Sequence, residues 1–288
     1  MIFFLSYIAI IVGNLTIVTL VITSPHLRTR PMYIFIVNLS VIDIASTSNI
    51  LPKLLAIILT KDNTISFVAC ITQMYFFVSL TCTEVILLAA MAYDRYIAIC
   101  HPLHYIIFMS FGHCIGLSLT AWTVGFLDLS GHAVLISELY FCSSHLIDHF
   151  FCDLTPLLKL SCSDTSNIEL LNYIEGTILG ITTFLLIIIS YIFIISSILN
   201  IKSSEGRHKA FSTCTAHLTC VTLFYGTIIS LYMRPTSSYS PKQDKFFALL
   251  YVVLVPLINP IIYSLKNENI KKALRLKITF FRVLYTRY

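Results

Sequence analysis

The chain has 288 residues, of which 57% are hydrophobic and only 11% are charged, whereas soluble domains average about 25% charged residues. This composition excludes an ordinary soluble domain and indicates that lipid surrounds most of the chain. The formal net charge of +5 favours contact with a membrane surface and a cytoplasmic partner, and we find no nucleic-acid signature.

Seven apolar stretches are long enough to cross the ~30 Å hydrocarbon core, which requires about 20 helical residues. The first run exceeds the usual ~7–15-residue core of a cleavable signal peptide and is interpreted as a signal anchor. The connections are mostly short, so residues 1–288 are predicted to form one all-α membrane domain, a seven-helix bundle. We predict spans at residues 1–22, 33–58, 69–99, 114–135, 170–199, 210–231 and 246–264, followed by a cytoplasmic tail at 265–288.

Basic residues are distributed unequally between the two sets of loops. Most of the 19 Lys and Arg residues follow the first, third, fifth and seventh spans. The positive-inside rule therefore places the N-terminus outside the cell and the C-terminus inside. After the seventh span, Asn267–Ile278 predicts a short amphipathic helix along the inner leaflet, with Ile270, Leu274 and Ile278 on one face.

Two carboxylates deep within the predicted spans are candidates for a functional role. Asp43 lies in the middle of the second span, and Glu84 lies in the third, about three turns before Arg95. Ionisable groups at this depth are costly and indicate function. Two carboxylates that face one cavity do not readily both ionise, so we expect a shared proton or a cation such as Na⁺. The alternative is a polar core in which carboxyl, Asn and Ser groups satisfy one another.

The chain has nine cysteines, and four of them are predicted on the outer side, where disulfides persist. Four cysteines allow three pairings, and the sequence does not choose among them. A metal site is the alternative, because His145 and His149 lie nearby, although disulfides compete for the same thiols. The outer cysteines are Cys70, Cys142, Cys152 and Cys162.

Three sequence motifs are far more specific than the composition. Residues Met91–Tyr105 read MAYDRYIAICHPLHY, residues Lys209–Leu218 read KAFSTCTAHL, and Pro256 begins PLINPIIYSL. These three stretches resemble the sequences of olfactory receptors, a branch of the rhodopsin-like G-protein-coupled receptors. The resemblance runs from Gly13 to Leu274, which is nearly the whole chain.

The resemblance implies an odorant receptor of the cell membrane and no enzymatic activity. Its implied partners are a small volatile odorant, a heterotrimeric G protein of the stimulatory olfactory type that raises cyclic AMP, and accessory trafficking proteins. It implies no cofactor beyond Na⁺ or a proton at Asp43 and Glu84, which match the family's interior carboxylates. The implied disulfides are Cys70–Cys152 and Cys142–Cys162.

The resemblance also implies how the cytoplasmic side works. Arg95 would pair with Asp94 at rest and turn toward the G protein on activation, while the sixth helix moves outward. Pro260 removes one helical hydrogen bond and kinks the last span. The implied coupling positions are Asp94, Arg95, Tyr96, Tyr191, Lys209, Asn259, Pro260 and Tyr263.

The positions that match the family's ligand pocket are apolar with a few hydroxyl groups, as expected for a small volatile ligand. An aromatic and Met stripe at helical spacing equally indicates packing, so each position keeps both interpretations. The positions are Met74, Phe77, Val78, Thr81, Cys82, Tyr225, Ile228, Tyr232 and Val252.

Glu175 in the fifth span differs from these positions in its charge. We favour a side chain that extends to the membrane interface. The alternative is a side chain that projects inward and selects amine-like or strongly hydrogen-bonding odorants.

Olfactory receptors usually carry an outer N-terminal tail with an N-glycosylation sequon, and none precedes the first span here. The matching triplets at Asn14 and Asn38 lie within predicted spans. We therefore expect the first helix to insert poorly and delivery to the surface to suffer.

Three other functions are disfavoured. A secondary transporter would show paired halves with broken helices, and a membrane enzyme would need a nucleophile–base set or a metal site. An opsin would need a Lys in the last span, and residues 246–264 contain none.

Overall fold

The computed structural model describes residues 1–142, 146–232 and 240–285. Within these residues, seven helical segments are long and apolar enough to cross a membrane. They are α1 (Ile2–Thr23), α2 (Met32–Thr60), α3 (Phe67–Cys100), α4 (Phe111–Ser137), α5 (Ser166–Leu199), α6 (Ser204–Tyr232) and α7, which is built from Pro241–Leu249, Leu250–Leu254 and Val255–Lys266. An amphipathic helix, α8 (Glu268–Tyr285), follows α7.

Helix boundaries follow local chemistry. Ser66 and Ser110 cap α3 and α4, because each hydroxyl accepts a backbone N–H, from Ala69 at 3.3 Å and from His113 at 3.2 Å. Lys61 ends α2 in the left-handed region, with φ of 59°. Helix α6 begins six residues before the predicted span because Ser204 and the polar residues after it continue the helix beyond the apolar stretch.

Helix α3 lies at the centre of the bundle and packs against α2, α4, α5 and α6, while α1 packs against α2 and α7. The approach of α3 to α4 is close enough to require glycine. A Cβ at Gly125 would lie 2.8 Å from the carbonyl oxygen of Ser79 and would also collide with the Thr83 hydroxyl. The tight α3–α4 contact fixes the position of α3 relative to its neighbour.

Helix α7 contains a feature that the sequence does not predict. Its middle segment, Leu250–Leu254, is a π-helix, in which hydrogen bonds span five residues and the side chains rotate relative to a regular helix. Tyr251 and Val252 of this segment are buried. Pro260, six residues beyond this segment, packs beside Gly13 of α1, where an added Cβ would lie 3.3 Å from the proline ring.

Helix α8 is fixed to the bundle at its first turn. Asn267 Oδ1 accepts a 3.0 Å hydrogen bond from the Tyr33 hydroxyl and also accepts the backbone N–H groups of Asn269 and Ile270. Ile270 is fully buried. The amphipathic helix begins at the predicted place and continues to Tyr285, several residues beyond the predicted end.

Candidate functional site

A cavity of about 400 Å³ lies among α3, α4, α5, α6, the first turn of α7 and the segment between α4 and α5. This volume is in the range of small-molecule sites, roughly 300–1,000 Å³. Its apolar wall includes Val78, Val85, Leu179, Phe184 and Ile228. A hydroxyl pair joins α5 to α6 at this wall, because Tyr225 donates a 2.8 Å hydrogen bond to Thr183 Oγ1.

The segment between α4 and α5 is held over the cavity by two disulfides, Cys70–Cys152 and Cys142–Cys162. These are the pairs that the resemblance implies. The backbone N–H of Cys152 also donates a 2.9 Å hydrogen bond to Gln73 Oε1. The disulfides occupy all four outer thiols, and no group of three metal-binding side chains occurs among the described residues; His145 of the alternative metal site lies outside them.

Seven of the ten predicted ligand positions line the cavity: Val78, Thr81, Cys82, Glu175, Tyr225, Ile228 and Tyr232. The structure places the other three elsewhere. Met74 packs beneath the disulfide-bonded segment with Cys70 and Cys152. Phe77 makes edge-to-face contacts with Phe151 and Tyr251, and Val252 is fully buried in the same core. These side chains support the cavity wall from behind.

Glu175 does not occupy the position that we favoured from the sequence. It lies at the cavity wall, and its Oε2 atom is 3.2 Å from Nε2 of His132 on α4. The Glu175 side chain is 35% exposed and that of His132 is 5% exposed. A neighbouring helix offers a polar partner, and so the carboxylate turns inward. A single sequence does not show which helix faces Glu175.

Asp153 is a second carboxylate at the cavity, and the sequence did not single it out. It is 6% exposed, and its Oδ1 accepts hydrogen bonds from the Leu154 N–H at 2.8 Å and the Tyr232 hydroxyl at 3.2 Å. Burial raises the pKa of Asp153 to about 6, and the two hydrogen bonds oppose this change. Asp153 therefore joins the disulfide-bonded segment to α6 at the cavity.

Asp43 and Glu84 are both buried and interact electrostatically with each other. Asn259 Nδ2 donates to both oxygens of Asp43, at 3.1 and 3.2 Å. The Tyr251 hydroxyl donates to Glu84 Oε2 at 3.0 Å and lies 3.1 Å from Thr81 Oγ1. The π-helical segment of α7 thus connects Glu84 to Thr81, which lines the cavity.

The cytoplasmic end of α3 carries the predicted pair of Asp94 and Arg95. Arg95 Nε donates to Asp94 Oδ2 at 2.9 Å, and a second guanidinium nitrogen donates to the same oxygen. Asp94 Oδ1 accepts a 2.8 Å hydrogen bond from the Tyr105 hydroxyl. Burial is the main cause that raises the pKa of Tyr105, and the Asp94 charge adds to it. Arg95 is thus held in the arrangement expected of a resting receptor.

Tyr191 and Tyr96 have partners that the sequence did not indicate. The Tyr191 hydroxyl on α5 lies 2.8 Å from Nδ1 of His217 on α6, and the two rings stack. Tyr96 lies 3.0 Å from Nε2 of His101 at the end of α3. The Tyr191–His217 contact joins α5 to α6 beside the end of α3, where Arg95 lies.

The remaining coupling positions lie on α6 and α7. Asn259 donates to Asp43, Pro260 is buried beside Gly13 of α1, and Tyr263 is buried beside Cys220 of α6. Lys209 lies in the cytoplasmic part of α6, but its side chain is outside the described residues. The structure therefore divides the predicted set between the Asp94–Arg95 pair on α3 and the Asn259–Asp43 contact deeper in the bundle.

The structure has the architecture of a G-protein-coupled receptor, a multi-pass protein of the plasma membrane. It combines seven membrane-spanning helices, an outer disulfide-bonded segment over a cavity and an Asp–Arg pair at the inner end of α3. The model of the olfactory receptor family matches residues 3–279. The chain belongs to the olfactory receptor family, and it is an odorant-sensing receptor rather than an enzyme.

Individual relatives support the same assignment. Olfactory receptor 5AR1 of Mus musculus is 48% identical over 95% of this chain and 88% of its own length. Olfactory receptor 1C1 of Homo sapiens is 44% identical over 97% of this chain and 90% of its own. Olfactory receptor-like protein OLF1 of Canis lupus familiaris is 44% identical, with 96% and 90% coverage.

Sequence reasoning missed five residues that complete these contacts: Tyr105, His132, Asp153, His217 and Tyr251. Tyr105 and His217 lie inside two of the three motifs that carry the resemblance, so their position was a usable signal. His132 and Asp153 lie outside every motif, and only the packing of α4 and the disulfide-bonded segment reveals their role.

Proposed function

We propose that the chain binds small volatile odorants in the cavity and activates a heterotrimeric G protein of the stimulatory olfactory type, which raises cyclic AMP. One observation carries the proposal: a single unbroken helix, α3, bears both the cavity residues Val78, Thr81 and Cys82 and the Arg95 pair. Thr81 and Arg95 are separated by roughly 21 Å of helix. A ligand and a G protein therefore contact opposite ends of the same rigid element.

The resting state is stabilised by contacts at the cytoplasmic end. Asp94 neutralises Arg95, and Tyr105 holds Asp94, so the guanidinium is not presented to a partner. On activation Arg95 leaves Asp94 and turns outward, and the cytoplasmic part of α6 moves away from α3. The Tyr191–His217 contact between α5 and α6 must rearrange for this movement.

The odorant supplies the free energy for this change through the difference in its affinity for the two states. Tyr225, Ile228 and Tyr232 place α6 side chains directly on the cavity. A ligand that contacts these residues more closely in the active arrangement shifts the equilibrium toward it. The same α6 movement opens the cytoplasmic groove for the G protein.

A proton or Na⁺ shared by Asp43 and Glu84 is part of the proposal. Asn259 Oδ1 is buried and has no hydrogen-bond partner among the described residues, although Asn259 Nδ2 contacts Asp43. This leaves an oxygen acceptor beside a carboxylate, and carbonyl oxygens can replace the hydration shell of an alkali cation. Asp43, Glu84 and Asn259 would hold the ion, which would offset the repulsion between the two carboxylates.

The test is a cyclic AMP reporter in cells that express the receptor, with a broad odorant panel and surface staining. Accessory trafficking proteins, which we include among the partners, are co-expressed in parallel wells. We expect an odorant response that Arg95→Ala abolishes and that Arg28→Ala, an exposed cytoplasmic arginine, retains. An odorant response that persists in well-stained Arg95→Ala would overturn the coupling mechanism.

A further inference from the structure

We propose that the cavity selects odorants that carry a basic amine, with the protonated nitrogen against Glu175 and the hydrocarbon body against the apolar wall. The inference relies on the proposed function only for the assumption that the cavity is the ligand site. It assigns the chemical class of the ligand, which membership of the family leaves open.

Among the described residues that line the cavity, four are acidic, and two, Lys159 and His132, are basic. Three carboxylates that are buried or half-buried reach it from three elements: Asp153 from the disulfide-bonded segment, Glu175 from α5 and Asp244 from the first turn of α7. Lys159 and Glu169 also line it, and both are exposed. Among the described lining groups that are at least partly buried, three are carboxylates and one is an imidazole, His132, and this balance favours a cation.

Glu175 is the carboxylate that is best placed to meet a ligand. Asp153 already accepts hydrogen bonds from Tyr232 and Leu154 and is 6% exposed. The Glu175 side chain keeps 35% of its surface accessible, and its contact with His132 involves Oε2. The contact between His132 Nε2 and Glu175 Oε2, at 3.2 Å, holds the Glu175 carboxylate at the cavity wall. An ammonium group can then donate to the accessible part of the same carboxylate.

The chemistry of small odorants discriminates at such a site. An alkylamine resembles the Lys side chain, whose pKa is about 10.4, so it is protonated at neutral pH. A charge-assisted hydrogen bond is roughly twice as strong as a neutral one, and a site that is shielded from water strengthens it further. An alcohol of the same skeleton gains only a neutral hydrogen bond, while a carboxylate meets like charges.

The apolar wall requires that the amine carries a compact hydrocarbon body. Val78, Val85, Phe184 and Ile228 line the same cavity as the polar groups. Very small polar amines would leave this surface uncovered. A cyclic or branched amine buries its carbon skeleton there while its nitrogen reaches Glu175.

Binding is measured on the purified full-length receptor as the shift of its melting temperature, which does not depend on G-protein coupling. The probes are three compounds of one skeleton: cyclohexylamine, cyclohexanol and cyclohexanecarboxylic acid. Wild type is compared with Glu175→Gln, which keeps the size and removes the charge, and with Glu175→Asp, which keeps the charge. Glu138→Gln at the exposed end of α4 is the matched control.

We expect the amine to bind wild type and Glu138→Gln about tenfold or more tightly than the alcohol, a difference that corresponds to ~1.4 kcal/mol. Glu175→Gln should lose this preference and still bind the alcohol, which shows that the variant is folded. Glu175→Asp should retain part of it. Equal binding of all three probes, tighter binding of the acid, an unchanged preference in Glu175→Gln, or no binding of the amine at millimolar concentration would each overturn the inference.

The reporter assay separates this inference from the proposed function. An amine that binds through Glu175 but raises no cyclic AMP would refute the proposed coupling and leave the ligand class intact. A neutral odorant that signals through Arg95, with no amine binding, would refute the ligand class and leave the proposed coupling intact.

Discussion

Tyr105 donates a 2.8 Å hydrogen bond to Asp94 Oδ1, so the carboxylate that holds Arg95 is itself held from the cytoplasmic loop. Tyr105 belongs to a short helix, Tyr105–Phe108, beyond the end of α3. Two contacts therefore restrain Arg95. One is its ion pair with Asp94 within α3, and the other is the Tyr105–Asp94 hydrogen bond, which depends on the position of the loop.

Loss of the Tyr105–Asp94 hydrogen bond should raise basal signalling. Tyr105→Phe deletes one hydrogen bond to an ionised group, worth about 1.5–3 kcal/mol at most. Because the site is only partly buried, we expect a basal cyclic AMP level about three- to tenfold higher. The measurement is ligand-free reporter activity normalised to surface staining, with Tyr93→Phe as the control. Basal activity that stays at the wild-type level would show that Tyr105 does not restrain Arg95.

The close contact of α3 with α4 should make Gly125 intolerant of substitution. Gly125→Ala places a methyl group 2.8 Å from Ser79 O and against the Thr83 hydroxyl, so the helices must separate. Overpacking of this kind costs about 1–3 kcal/mol. We expect a lower melting temperature and less receptor at the surface. Gly116→Ala in the same helix meets nothing within 4 Å and is the matched control; equal losses in both would refute the argument.

The buried Asp153 should make receptor stability depend on pH. Its pKa of about 6 in the folded receptor exceeds the unfolded value of about 3.9, so the folded state binds the proton more tightly. The stability from this group is present below pH ~4 and is lost as pH rises toward ~6, by an amount on the order of 3 kcal/mol.

This pH dependence is measured as the melting temperature of purified receptor from pH 4 to pH 7. Asp153→Asn should flatten the decline across this range. Asp164→Asn, at an exposed carboxylate after the second disulfide, should keep the wild-type slope. A wild-type slope in Asp153→Asn would assign the pH dependence to another group.

The Tyr251 hydroxyl should be required for the stability of the bundle, because it is a hydrogen-bond donor to the buried Glu84. Tyr251→Phe leaves a buried carboxyl oxygen without this donor, which costs about 1–3 kcal/mol. We expect a clear fall in melting temperature. Tyr75→Phe removes a hydroxyl that donates to the Phe126 carbonyl at 2.9 Å, and it should cost less. A smaller loss for Tyr251→Phe than for Tyr75→Phe would contradict the expectation.

The sequence predicted the spans well for a physical reason. A segment that crosses the hydrocarbon core must satisfy its backbone hydrogen bonds internally, so length and hydropathy determine which segments are helices. The ends of the helices were predicted less accurately, because polar residues can extend a helix into water beyond the apolar stretch that predicts the span. Ser204–Lys209 in α6 is an example. The π-helical segment at Leu250–Leu254 was missed because its residues are as apolar as those of a regular span.

The cavity could be predicted only in part. Along α3, the resemblance placed Val78, Thr81 and Cys82 at the cavity, but it also included Met74 and Phe77, which pack behind it. Lipid-facing and core-facing side chains are both apolar in a membrane protein, so the pattern does not separate the two surfaces.

The amino-acid sequence by itself determined the seven apolar spans, their orientation through the basic loops, and the adjacency of Asp94 to Arg95. These properties depend on hydropathy, charge and neighbouring positions along one chain. Only the tertiary structure decided that Glu175 meets His132, that Asp153 meets Tyr232 and that Tyr105 meets Asp94. Each of these contacts joins residues from different elements, and the direction in which a helix turns its polar side chains depends on the neighbours that it packs against.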